Sequence, residues 1–220
     1  MQLLNVINAR VTWLFEWADL NPRGKSLYPD LIDWLKDNYH FSTVPASATD
    51  LDDTKGLAFR GGDFQAREEI FVDTELTIYN DGLVANTRSS TRDTEAFLDD
   101  VLKTAARDFS LNYEPNMIRN KVVLSELVVR LEHPIKGIAP PGMAGFAEKL
   151  TNLSGSATPY EFGGVSFIGD FSASSLKLAS FMIERRLNAP FKENRFFSKA
   201  PFHTDDHLVM LTEFENLIAN

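Results

Sequence analysis

Cysteine is absent from this sequence of 220 residues, which excludes disulfides, thiolate zinc sites, iron–sulfur clusters and cysteine nucleophiles together. Redox chemistry would need a bound cofactor, and no cofactor is expected. Long apolar runs are missing too: no window approaches the roughly 18 uninterrupted apolar residues of a membrane span. The opening MQLLNVINARVTWLFEWADL lacks the basic and continuous apolar regions of a secretory signal. A cytoplasmic chain with no membrane partner is the expectation. Neither GxxxxGKS/T nor GxGxxG occurs, so the familiar glycine cradles for phosphate are lacking, and no GxSxG marks a nucleophile elbow. Positive charge is in deficit, with 22 Lys and Arg against 31 Asp and Glu and a net charge of −9. That balance favours solubility and argues against a general binder of phosphate backbones.

What is present suits a globular fold. Hydrophobic residues make up 44% of the chain, including 17 phenylalanines, whose large buried area makes them the expected core. The clearest pattern comes first: Ile7, Ala9, Val11, Trp13, Phe15 and Trp17 alternate with Asn8, Arg10, Thr12 and Glu16, a long strand with one buried face. NPRGKS breaks it, and Ser26 is placed to cap a helix over 27–38 with Leu27, Leu31, Trp34 and Leu35 on one stripe. The polar stretch 44–55 reads as a surface loop. Alternation over 70–79, the Asn80-Asp81-Gly82 turn and the run 83–87 predict a hairpin. Ser90 with Asp93 resembles a capping box for a helix that buries Phe97, Leu98, Val101, Leu102 and Ala105.

Beyond it, KVVLSELVVRLE predicts a strand, HPIKGIAPPGMAG a loop, 146–153 a short helix, and EFGGVSFIGDF a strand whose Gly163-Gly164 pair suggests a bulge or a close backbone approach. The run 176–187 fits both periods and is read as a strand. The last helix is expected over 205–217. No sequence repeat is visible. These elements predict a single α+β domain over 1–220, a mainly antiparallel sheet with helices mostly on one face, and a joint, if any, near 140–145.

Candidate chemistry is sparse. Arg60-Gly61-Gly62-Asp63 reads as a turn, and Ser154-Gly155-Ser156 has loop composition with no indicated base. His133 stands at a strand end, where a base could act but a loop hydrogen bond explains it as well. His40 follows a helix C-terminus, and the many Asp and Glu pairs are what an acidic chain contains anyway. FHTDDH is the stretch most like a site, with His203 and His207 as candidate metal ligands. Thr204, however, is the better N-cap, which leaves His203 outside the helix, while Asp205 and Asp206 suit a first turn. No catalytic residue is assigned.

Charge distribution is more informative. Acidic residues crowd the stretch 44–100, among them Asp50, Asp52 and Asp53, whereas the stretch 176–200 carries Lys177, Arg185, Arg186, Lys192, Arg195 and Lys199 against Glu184 and Glu193. Phenylalanines interleave the basic run. Arg185, Arg186, Phe191, Lys192, Arg195, Phe196 and Phe197 are therefore the candidate binding residues. The reading they support is a non-catalytic interaction protein that self-associates or docks on a larger protein partner through 185–202, since Arg and aromatics suit interface cores. The alternative is a nucleic-acid or nucleotide binder using the same segment by charge and stacking. A metal-dependent hydrolase using His203 and His207 ranks below both.

Overall fold

The first alternation forms strand β1 (Gln2–Leu14) in a computed structural model that describes residues 1–22, 28–45, 55–155 and 157–219. Ser26, Leu27, Asp50, Asp52, Asp53, most of the expected 44–55 loop and Ser156 lie outside the described residues. Ala9, Val11, Trp13 and Phe15 are buried as the period requires, while Ile7 is exposed. The strand ends before Trp17, which instead opens the short helix α1 (Trp17–Leu20). There its indole N–H donates to the Tyr79 carbonyl at 2.5 Å and its ring meets Phe15 edge-on. An aromatic at even spacing is satisfied here by a chain reversal rather than by a longer strand.

Helix α2 (Tyr28–Tyr39) follows, then β2 (Leu57–Arg67), β3 (Ile70–Tyr79), β4 (Gly82–Thr87) and α3 (Thr91–Phe109). The expected turn at Arg60–Asp63 lies inside β2, where the register against β3 shifts between Phe59 and Gly62; a bulge, not a turn, uses the glycines. The predicted hairpin is β3 and β4, paired from Thr74↔Thr87 to Tyr79↔Gly82. Gly82 also faces Leu14 of β1, and a Cβ there would collide with the Trp13 carbonyl oxygen. Ser90 caps α3 by accepting from the Asp93 N–H, as the sequence indicated. One apolar cluster joins the helices to the strands: Leu31 and Leu35 of α2, Phe97, Leu98 and Val101 of α3, and Trp13, Phe59, Leu76 and Leu83 beneath them.

The remaining elements are β5 (Asn120–Arg130), α4 (Met143–Ser154), β6 (Gly164–Phe167), β7 (Phe181–Arg185), β8 (Arg195–Ala200) and α5 (Thr204–Ala219). The ambiguous 176–187 stretch is a strand over its last part. The fold is α+β, with antiparallel strands and helices packed on the sheet.

Two compact units divide the chain. One holds Val6–Ser125 with Phe202–Thr204; the other holds Met1–Asn5, Glu126–Pro201 and Asp205 onward. Residues 140–145 fall within the second. Apart from the four-residue α1 of the first, the units repeat one connectivity that no sequence repeat announces: strand, helix, three strands, helix. Strands are hydrogen-bonded in the order β2-β3-β4-β1 in the first and β6-β7-β8-β5 in the second. The corresponding helices differ sharply in burial. α2 buries Leu31, Ile32, Leu35 and Tyr39, whereas α4 has no buried residue.

Candidate binding site around Arg185

Arg185 ends β7, where its N–H donates to the Gly163 carbonyl at 2.7 Å and so fixes the end of the β6–β7 ladder. The chain then turns through Leu187 and Asn188 and returns as β8, held by the Arg186 N–H on the Arg195 carbonyl at 3.0 Å. Within that turn a short 3₁₀ segment, Phe191–Glu193, brings the Phe191 ring 4.7 Å from the Arg185 guanidinium, and the Phe196 ring lies 5.0 Å from it. Arg185 Nη1 donates to the Phe191 carbonyl at 2.8 Å, while its buried Nε has no hydrogen-bond partner.

No carboxylate comes within ion-pair distance of Arg185 among the described residues. Burial pulls its pKa below the ordinary arginine value, opposed by the charge of Glu161 acting through space. With one N–H already given to the Phe191 carbonyl, the half-buried guanidinium keeps its positive charge and its remaining Nη donors for an oxyanion. It lines a cavity of about 730 Å³ together with Tyr160, Val165, Arg186, Leu187 and Phe191. Leu187 is 100% exposed.

The structure thus gathers three of the seven sequence candidates, Arg185, Arg186 and Phe191, at one cavity. Phe196 is fully buried and reaches the site only as the ring behind Arg185. Arg195 is paired with Glu193 at 2.9 Å, Lys192 is exposed, and Phe197 alternates with Phe196 to the opposite face of β8; none of these three lines the cavity. Tyr160, Val165 and Leu187 escaped the sequence reading. Leu187 ends the 176–187 run read as a strand, and nothing in the periodicity separates a packed apolar residue there from one left uncovered.

The two C-terminal histidines have different partners. His203 Nδ1 lies 3.2 Å from the Thr91 hydroxyl, and His207 Nε2 lies 2.8 Å from the Ser198 hydroxyl. No group of three or more potential metal ligands occurs among the described residues. His40 Nδ1 is 3.1 Å from Asp63, and His133 is exposed. A second cavity, of about 480 Å³ in the Val6–Ser125 unit, is lined by side chains of both signs, including Arg10, Asp73 and Glu75, and Arg10 donates to Asn86 at 2.8 Å.

Uncovered apolar surface concentrates in the unit that holds the Arg185 cavity. Of the seventeen exposed large hydrophobic residues described, thirteen belong to it, leaving Ile7, Ile70, Phe71 and Phe202 in the other. Met143, Phe146 and Leu153 of α4 are among the thirteen.

No family model matches the chain, and no curated protein does. Among solved structures, Methanococcus jannaschii TBP is similar at a TM-score of 0.46 and 13% identity, over 99% of this chain and 97% of that one. So loose a likeness carries neither fold detail nor function across. No helix among the described residues is long and apolar enough to cross a membrane.

Proposed function

We propose that this chain is a non-catalytic interaction protein that docks on a larger protein partner through the Arg185 cavity. The observation that carries the reading is the Arg185 guanidinium, without a carboxylate within ion-pair distance and with a buried Nε lacking an acceptor, in a cavity rimmed by Tyr160, Leu187 and Phe191. Arginine and aromatic anchors in a partly desolvated pocket are the composition of binding hot spots. The concentration of uncovered apolar residues in the same unit supports it. A nucleic-acid groove needs several unpaired cations in line with exposed aromatics. Here Arg195 is paired, Phe196 is buried, and Glu161 and Glu184 line the same cavity, so the protein partner is the better supported reading.

Affinity capture with the wild type, Arg185→Ala and Leu187→Asp tests it. Leu187 is wholly exposed, so its replacement leaves the melting temperature unchanged and isolates binding from folding. Proteins retained by the wild type are lost from both variants if the reading holds. Identical capture by all three, or no specific capture together with a monomer by light scattering in low and high salt, sinks it.

A further inference from the structure

We infer that the partner supplies an extended segment that adds as a new strand along the free edge of β6 and sets a carboxylate on Arg185; this rests on the docking role proposed for the cavity. The ladder geometry points there. Because the Arg185 N–H bonds to the Gly163 carbonyl, the hydrogen-bonded pairs between β6 and β7 are Gly163/Arg185, Val165/Ile183 and Phe167/Phe181, which follow the observed register. Gly164 and Ser166 therefore direct their N–H and C=O groups away from β7. β6 is the terminal strand of the hydrogen-bonded order, and neither Gly164 nor Ser166 takes part in another backbone hydrogen bond among the described residues.

Natural edges are usually guarded by lysine, proline or a covering element. Gly164-Val165-Ser166-Phe167 has neither residue, and Phe167 and Ile168 beside it are 62% and 80% exposed. Gly163, Gly164, Val165 and Ser166 also line the Arg185 cavity, so the open edge and the guanidinium belong to one site. Alternating backbone donors and acceptors match another polypeptide backbone, and Val165, Leu187 and Tyr160 offer apolar contact to its side chains. Arg185 selects a carboxylate among them by its charge and a remaining Nη donor. Glu161 and Glu184 in the same lining oppose any chain of many negative charges, which makes a largely apolar peptide segment with a single carboxylate at Arg185 the fitting occupant.

Peptides selected against the full chain from a displayed random library, then synthesised and titrated by fluorescence polarisation, test the inference. Enrichment of one Asp or Glu among alternating apolar residues is expected. Arg185→Gln should weaken the best peptide about tenfold, the equivalent of one charge-assisted hydrogen bond. Backbone N-methylation at alternate peptide positions should abolish binding, and the same modification moved by one residue should not. Ser166→Pro, which removes an outward N–H and no ladder bond, should also weaken it; if that variant fails to fold, peptide N-methylation still tests the same edge on the unmodified chain. The inference falls if no peptide is selected, if binding ignores N-methylation, or if a single-stranded oligonucleotide competes better than the peptide. It also falls if a dimer of the chain that Ser166→Pro dissociates proves to occupy the edge. Capture that responds to Leu187→Asp but not to Ser166→Pro leaves the docking role standing and removes strand addition alone.

Discussion

The imidazole Nε2 of His207 lies 2.8 Å from the Ser198 hydroxyl, which itself lies 2.8 Å from the Met182 carbonyl. Since the serine proton serves the carbonyl, the ring donates through Nε2–H. Both residues are fully buried, and burial pushes the His207 pKa down from 6.5 to about 4. A histidine that resembled a metal ligand instead makes a folding contact that holds α5 to β8. Its titration has a definite sign: the unfolded chain takes up the proton first as pH falls below 6.5, so stability is full above that value and is lost progressively toward pH 4. The loss from this group approaches about 3 kcal/mol. Urea melts of the wild type and His207→Gln from pH 7.5 to 4 check it, the difference between them shrinking as pH falls. A constant difference would show that His207 does not titrate in this way.

The N-terminus of α3 gives a second prediction. Asp93 accepts from Arg67 at 2.9 and 3.0 Å and from the hydroxyls of Ser89 and Ser90 at 2.5 and 2.8 Å. Burial alone would raise its pKa, but the Ser89, Arg67 and Ser90 hydrogen bonds together hold it below the usual carboxylate value. Ser90→Ala removes the cap together with one of the three side-chain donors to Asp93 and should cost about 1–2 kcal/mol. Asp93→Ala strands three donors and should cost about 2–3 kcal/mol. The Asp93 contribution is present above pH 3.8 and lost below it, so its acid loss lies beneath that of His207. Denaturant melts at neutral pH measure both differences.

These two sites show what the sequence could reveal. Ser90 and Asp93 interact across one helical turn, and local spacing predicts such contacts directly. The alternation of β3 with the Asn80-Asp81-Gly82 turn is equally local and equally legible. Arg185 differs because its environment comes from Gly163, Glu161 and Phe191 on separate segments, and only folding decides that Arg195 gains Glu193 while Arg185 gains no carboxylate within ion-pair distance. Phe196 and Phe197 look alike in the sequence, yet strand alternation buries one and half-exposes the other. The repeated connectivity was hidden for a related reason: α2 and α4 hold equivalent places in the two units, but one carries a buried apolar face and the other does not, so their sequences share no pattern.

Gly82 and Gly145 should respond oppositely to alanine. A Cβ on Gly82 meets the Trp13 carbonyl oxygen across the β1–β4 pair, where neither backbone can yield without breaking register. Gly82→Ala should therefore cost about 2–3 kcal/mol as overpacking. Gly145, inside α4, has nothing within 4 Å of the added methyl. There the substitution should stabilise by about 0.5–1 kcal/mol through reduced chain entropy. Thermal melts of the two variants, run side by side, test whether close approach rather than glycine itself sets the outcome.

Thr91 and Thr204 stand at the first positions of α3 and α5, where helix N–H groups lack intrahelical acceptors. Each supplies what the other needs: Thr91 N–H donates to Thr204 Oγ1 at 3.0 Å, and Thr204 N–H donates to Thr91 Oγ1 at 2.9 Å. Both residues are buried, so water cannot replace a lost acceptor cheaply. Valine keeps the shape and removes the oxygen, and each Thr→Val change should cost about 1–3 kcal/mol, the range for a buried donor left unpaired. Thr→Ser should cost far less. Amide exchange distinguishes this arrangement from simple loosening of one helix end. Thr91→Val should speed exchange at the Thr204 amide, and Thr204→Val should speed it at the Thr91 amide. Acceleration confined to the amides two or three residues beyond each mutated threonine would show that the two cap their own helices instead of each other's.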